Sequence, residues 1–278
     1  MGEKSEGVEY TLGKDAFMFD YHMHSSVSFD SDGDAGEMVR AARARGLREI
    51  CFTDHYDLHE IPTEAPDIFT PEEYRAAYGG LDTEGIAVRY GVECGLTLAN
   101  RAQLERLLVE NRFDFVIGSV HFTDGYDIYY PDFWQGKTTE QVFRRYLEHT
   151  LDCVRLHDSF DVLGHLTYIC KCPPNTARTP LRYADYADVI DEILAILVKR
   201  GQGLEVNTSG IDRVGVTLPD PDCLRRFRAL GGEIVTVGSD AHDSARVGRQ
   251  VDEAIEMIRS IFGCVYTFAD RKPIRHPL

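Results

Sequence analysis

The chain has 278 residues, 43% apolar and 27% charged, which is ordinary for a globular protein and enough for one large α/β barrel or two small domains. A net charge of −16 and a pI near 5.0 argue against general binding to nucleic acid or to an anionic membrane, both of which need basic surface. They leave room for a small anionic substrate held by local cations. No apolar run approaches the roughly 18 residues of a membrane span, and the opening "MGEKSEGVEY" lacks the apolar core of a secretion signal. Seven cysteines fall at unrepeating spacings. Reduced thiols in a cytoplasmic protein are therefore expected.

The predicted elements alternate strand, loop and helix. Residues 1–15 read as a short leader to a single domain. "FMFDYH" is the first strand and "DAGEMVRAARARG" a helix, with Asp34 and Glu37 placed as a capping box and Gly46 as its stop. "REICFTDH" and "IAVRYGVE" are the second and third strands. Between them runs "YDLHEIPTEAPDIFTPEEY", a linker long enough to read as a lid or substrate-contacting loop. The helix "NRAQLERLLVENR" leads to the fourth strand, "DFVIGSVH", and a long helix from near Thr138 leads to the fifth, "FDVLGH". "YADYADVIDEILAILVKRG" has an apolar stripe on one side and precedes the sixth strand, "GLEVN". "DPDCLRRFRALGG", the seventh strand "EIVTVGSDAH", the helix "QVDEAIEMIRSIFG" and a last short strand "CVYTF" complete the chain. Seven parallel strands alternating with helices fit a (β/α) barrel. A doubly wound open sheet is the alternative, and the absence of a G-x-G-x-x-G after an early strand counts against a dinucleotide fold.

Metal-ligand residue types sit at nearly every strand exit. The first offers His22 and His24, which share a face at i and i+2, with Asp30 six residues after His24. The second offers Asp54 and His55, the third Glu93, the fourth His121, the fifth His165, and the seventh Asp240 and His242. In a parallel barrel these exits lie on one rim, where catalytic groups collect. Six of the ten histidines would therefore meet at one mouth, while His59, His149, His157 and His276 fall elsewhere. One cation takes four to six donors, so nine candidates exceed a single site. Imidazole mixed with carboxylate suits zinc, iron(II) or manganese rather than magnesium or calcium alone. Clustered cations suit phosphate chemistry, in which they activate water and offset phosphoryl charge.

These motifs resemble those of the PHP family, named for polymerase and histidinol phosphatase. "DYHMHS", "FTDH", "GVE", "GSVH", the "GH" after the fifth strand and "GSDAH" match its motifs in order over about residues 17–268. "IGSVHFTDGYDIYYPDFWQGKTTEQVFRRYLEHTLDCV", "DVLGHLTYICK" and "LEVNTSG" are similar to the histidinol-phosphatase branch. The resemblance implies a distorted, TIM-like (β/α)7 barrel with two to three divalent metals (zinc, iron or manganese). By position, His22, His24, Glu93 and Asp240 would bind the first metal. Glu93, His121 and His165 would bind the second, and Asp30, His55 and His242 the third. Glu93 and His55 would thus serve catalysis directly, and Asp54 would either protonate the leaving alkoxide or orient His55. Lys171 and Arg213 would grip phosphate. The implied reaction is hydrolysis of L-histidinol phosphate, with another small phosphate ester, such as a sugar or nucleotide phosphate, as the alternative. A non-catalytic PHP module and an amidohydrolase-like deaminase or lactonase are competing readings. The first tends to lose ligands that are all present here, and the second usually places its bridging group near the fourth strand.

Overall fold

The structure, a computed structural model, describes residues 19–59, 66–83 and 85–278. Its seven barrel strands are β1 (Phe19–Asp20), β2 (Glu49–Phe52), β3 (Ala87–Gly95), β4 (Phe115–Ser119), β5 (Val162–Leu163), β6 (Gly203–Asn207) and β7 (Val235–Gly238). They pair side by side in chain order, every pair parallel. The two ends of the sheet meet through a parallel bridge between Met23 and Ala241. Tyr21 N–H donates to Val237 O (2.9 Å), Asp240 N–H to His22 O (2.8 Å) and His24 N–H to Ala241 O (2.8 Å) across the same seam. The result is the expected distorted seven-stranded barrel.

Helices α1 (Ala35–Ala44), α2 (Pro71–Tyr78), α3 (Arg101–Glu110), α4 (Thr139–Leu156), α5 (Ala187–Arg200), α6 (Pro221–Ala229) and α7 (Val251–Phe262) fill the crossovers. Their ends follow local chemistry. Asp34 accepts from Glu37 N–H at the start of α1, Thr138 and Gln141 form a capping box on α4, and Gly201 ends α5 in the left-handed region at φ 68°. The buried stripe of α4, including Val142, Phe143, Tyr146, Leu147 and Leu151, joins the main core. All seven cysteines are free and buried. Among the described residues, no helix is long and apolar enough to cross a membrane.

Three details differ from the sequence reading. The linker after the second strand contains a helix, α2, whose capping box joins Thr70 and Glu73 behind Pro71. The last expected strand, β8 (Cys264–Ala269), pairs antiparallel with a strand that was not expected, β9 (Lys272–Pro277). This hairpin covers the end opposite the strand exits, where Phe268 O accepts from Tyr21 O–H (3.0 Å) and Arg271 pairs with Asp161 (2.6 Å). The exit of β4 is also elaborated, by a two-residue hairpin (Phe122–Thr123 with Tyr126–Asp127) and a short helix (Pro131–Trp134). The expected leader, Phe17 and Met18 of the expected first strand, and residues 60–65 of the linker lie outside the described residues.

Candidate metal centre

All nine donors expected at the strand exits meet at one barrel mouth. Glu93, near the end of β3, is fully buried and lies at its centre. Glu93 Oε2 is 3.2 Å from His22 Nε2, 3.5 Å from His24 Nε2 and 3.0 Å from His55 Nδ1. Oε1 is 3.4 Å from His121 Nε2 and 2.8 Å from His165 Nε2. His22 and His24 face one another across 3.0 Å between their Nε2 atoms. Asp240 Oδ1 lies 3.5 Å from His24 Nε2 and 3.8 Å from His22 Nε2. Asp240 has φ 56°, a left-handed turn directly after β7 that swings its carboxylate over the mouth. Aspartate tolerates this conformation better than most side chains. On the outer side, Asp30 Oδ2 is 3.1 Å from His242 Nε2 and 3.7 Å from His55 Nε2.

His55 reaches this position because His55–Tyr56 pairs in parallel with Glu93–Cys94. It spans two of the expected sets, with Nδ1 toward Glu93 and Nε2 toward Asp30. Three groups of donors are tight enough to hold a cation: His22–His24–Glu93, His55–Glu93–His121 and His24–His55–His242. The remaining histidines have other partners. His157 Nε2 meets Thr97 O (2.7 Å), His276 Nε2 meets Thr267 Oγ1 (2.7 Å), His149 lies 3.9 Å from Asp124 and His59 lies 3.9 Å from Asp67.

Asp54 lies outside the donor set. Its carboxylate is buried beneath the mouth, accepting from Ser25 N–H (2.8 Å), Ser28 Oγ–H (3.0 Å) and the Tyr78 hydroxyl of α2. Burial pushes its pKa above the ordinary carboxylate value even against these donors. Ser28 in turn contacts His24 Nδ1 (3.0 Å) and accepts from His55 N–H (3.0 Å). Asp54 therefore reaches His24 and the His55 backbone through Ser28. Asp57, Ser28 and Glu205 were not singled out in the sequence. Asp57 Oδ2 is 2.7 Å from His121 Nδ1, and Glu205 Oε1 is 2.6 Å from His22 Nδ1. Asp57 carried a usable signal, since it follows His55 by two residues and so shares its face. Glu205 carried a weaker one, a charged residue inside an apolar strand.

The donors fit a cation cluster on their own chemistry. Glu93 Oε2, His55 Nδ1 and His165 Nδ1 are buried with no hydrogen-bond partner among the described residues. Buried polar atoms are normally satisfied, and a cation beside Glu93 Oε2 and His55 Nδ1 would satisfy two of the three. Electrostatics point the same way. Burial opposes ionisation of Glu93, yet His22, His121, His55 and His165 hold its carboxyl well below the usual range. Burial likewise opposes a charge on His22, but Glu205, Glu93 and Asp240 push it well above the ordinary value. Burial, with His55 and His242 alongside, drives His24 well below it. The centre therefore mixes imidazoles that keep a free lone pair with others that hold a proton.

Above the donors is a cavity of about 460 Å³ that both expected phosphate-binding residues line. Arg213 donates from Nη to Pro173 O (3.2 Å), and its Nε–H is buried without a partner. Lys171 is committed to the Asp240 carboxylate and to Ser209 Oγ (2.8 Å). Phe29, Tyr129 and Tyr130 line the same cavity and are 60%, 45% and 59% exposed, an unusual concentration of open aromatic surface at one place.

Comparison with known proteins yields a consistent set of likenesses. The model of the PHP domain matches residues 20–209. A histidinol-phosphatase from Lactococcus lactis is 32% identical over 258 residues, covering 91% of this chain and 95% of the relative. A probable histidinol-phosphatase from Thermotoga maritima is 30% identical, covering 92% and 97%. Among solved structures, histidinol phosphate phosphatase from Lactococcus lactis, complexed with zinc, L-histidinol and phosphate, superposes with a TM-score of 0.83 at 30% identity, covering 92% of this chain and 98% of that one. A Listeria monocytogenes structure shares the fold at a TM-score of 0.73 and 19% identity, covering 85% and 99%.

Proposed function

The chain belongs to the PHP domain family, and from that premise we propose that it is a metal-dependent phosphomonoesterase that hydrolyses L-histidinol phosphate to L-histidinol and phosphate. The observation that carries the reading is Glu93, a buried carboxylate ringed by five imidazoles with one oxygen left unpartnered. His22, His24, Glu93 and Asp240 would hold a first divalent ion. Glu93, His121 and His165 would hold a second, and Asp30, His55 and His242 a third. When bound, zinc, iron(II) or manganese supplies Lewis-acid charge for the phosphoryl oxygens and lowers the pKa of water toward neutrality.

The protein's own groups do the rest. Arg213 offers its unpartnered Nε–H to a phosphate oxygen, and Lys171 adds positive charge beside Asp240. The open rings of Phe29, Tyr129 and Tyr130 give a planar leaving group such as an imidazole a surface to stack on. Asp54 holds Ser28, which orients His24 and the His55 backbone.

The direct test is phosphate release from L-histidinol phosphate by protein reconstituted with zinc, iron(II) or manganese, beside sugar phosphates and nucleoside monophosphates. The expected preference for histidinol phosphate in kcat/KM is at least about 100-fold, the discrimination available when a site built for polar groups is left unpaired by the wrong substrate. A preference for a sugar or nucleotide ester would make the chain a PHP phosphoesterase of another pathway, and no release from any ester would overturn the reading. Arg213→Ala is expected to raise KM about 10- to 100-fold, the range of one charge-assisted hydrogen bond. Unchanged kinetics would remove Arg213 from the substrate site.

Cation binding should also be linked to protons. In the cation-free protein burial works to lower the His55 imidazole, but Glu93 and Asp57 push it up to about 9. At pH 7.5 it then carries a proton that it must lose to coordinate. Zinc uptake at that pH is therefore expected to release protons, and affinity is expected to climb as pH rises toward 9. Titration calorimetry in two buffers of different ionisation enthalpy checks this; identical apparent enthalpies would contradict it.

A further inference from the structure

Glu205 stands in the middle of β6 with its side chain inside the barrel, 1% exposed. Among the described residues no lysine or arginine pairs with it; its ion-pair partner is His22. A buried carboxylate without a permanent cation is costly to stability. A neutral side chain of the same shape would serve packing alone better.

Both oxygens are in use. Oε1 lies 2.6 Å from His22 Nδ1, and Oε2 accepts from the backbone N–H of His165 (2.7 Å). Asn207 Nδ2 braces the carboxylate at 3.3 Å from each oxygen. The neighbouring strands leave space for it. Gly238, at the end of β7, is placed so that a Cβ would come within 2.6 Å of Oε1, and a Cβ on Gly164 just after β5 would lie 3.6 Å from Oε2. One side chain on β6 thus reaches sideways to histidines at the exits of β1 and β5.

We propose that Glu205 is a positioning residue that orients His22 and His165 together and so ties the first and second cation sites into one rigid unit. A carboxylate at His22 Nδ1 keeps the proton on that nitrogen and makes Nε2, which faces Glu93 and His24, the nitrogen that would give up its proton to a cation. The bond to His165 N–H fixes the backbone from which the His165 ring projects. Glutamine can supply only one of the two acceptors, because its amide group would turn a donor toward a donor.

The proposal rests on the metal-centre reading, and the test separates the two. Zinc binding to cation-free wild type, Glu205→Gln and Glu205→Asp is measured by competition with a chromophoric chelator, beside thermal melts of the same cation-free proteins and kcat and KM of the reloaded ones. Wild type that takes up no zinc would refute the metal-centre reading itself. With wild type binding, Glu205→Gln is expected to bind about 10- to 100-fold more weakly and to lose activity in kcat more than in KM. Glu205→Asp, which keeps the charge but withdraws the oxygens by one carbon, is expected to weaken binding in the same direction. Zinc affinity within threefold of wild type in either variant would overturn the proposal. So would a cation-free Glu205→Gln that melts well below wild type yet binds zinc normally, since that is the signature of a packing role.

Discussion

Replacing Glu93 with glutamine is expected to abolish phosphate release, by at least about 10³-fold, and to remove at least one cation per chain. The magnitude follows from what cation-held charge contributes to phosphoryl transfer and from the loss of a group that acts as a unit with its neighbours. The change is nearly isosteric, so the fold is not at issue. Glu93 is fully buried, and its two oxygens are shared among imidazoles projecting from four different strand exits. An amide in its place halves the acceptor capacity, removes the negative charge and points an N–H₂ at ring nitrogens. The check is phosphate release together with metal content by elemental analysis. Full activity with full metal content would refute the assignment of Glu93.

The second large effect is expected from a single methyl group. Gly238→Ala places a Cβ against His22 Cβ and Cα and against Glu205 Oε1. None of these is the free end of a flexible chain. His22 is held by the β1–β7 seam, and Glu205 by Asn207 and His165. Overpacking of this kind costs about 1–3 kcal/mol, a drop in melting temperature of about 2–10 °C for a domain of this size. Because the displaced atoms carry the first cation site, zinc affinity and phosphatase activity should fall with stability. A Gly238→Ala protein that melts, binds zinc and turns over like wild type would show that the strand ends are not packed this tightly. Alanine at Gly125, an exposed turn glycine, offers a contrast: it has φ 78° but nothing within 4 Å of a Cβ, so its cost would be backbone strain without loss of the site.

The barrel was legible in the sequence because each strand is a short apolar run with a turn or ligand residue at its exit. β6 matched its expected span, Gly203–Asn207, residue for residue. The convergence of donors was legible for the same reason: parallel strands put all their C-terminal ends at one rim, so residues distant in the chain became neighbours by topology. The elements that were missed lie where period and length mislead. α2 sits inside a linker whose prolines suggested a loop, although Thr70-Pro71 followed by Glu73 is a helix-start signature. β8 is legible as a short strand, but its partner β9, whose proline, arginine and histidine do not read as one, is not, so the hairpin closing the opposite end stays hidden. Asp54 stands beside His55 in sequence, but their side chains diverge to opposite faces of the chain, as consecutive residues in an extended segment must. Glu205 and Asp57 support the donor set from positions that become meaningful only once three strands have been brought together.

Diffraction from crystals grown with zinc or manganese, recorded at the metal's absorption edge, tests the central claim most directly. Two or three anomalous peaks should lie among His22, His24, Asp30, His55, Glu93, His121, His165, Asp240 and His242, with Glu93 touching two of them. A mouth without peaks in metal-grown crystals, or peaks bound only at the outer surface, would contradict the account.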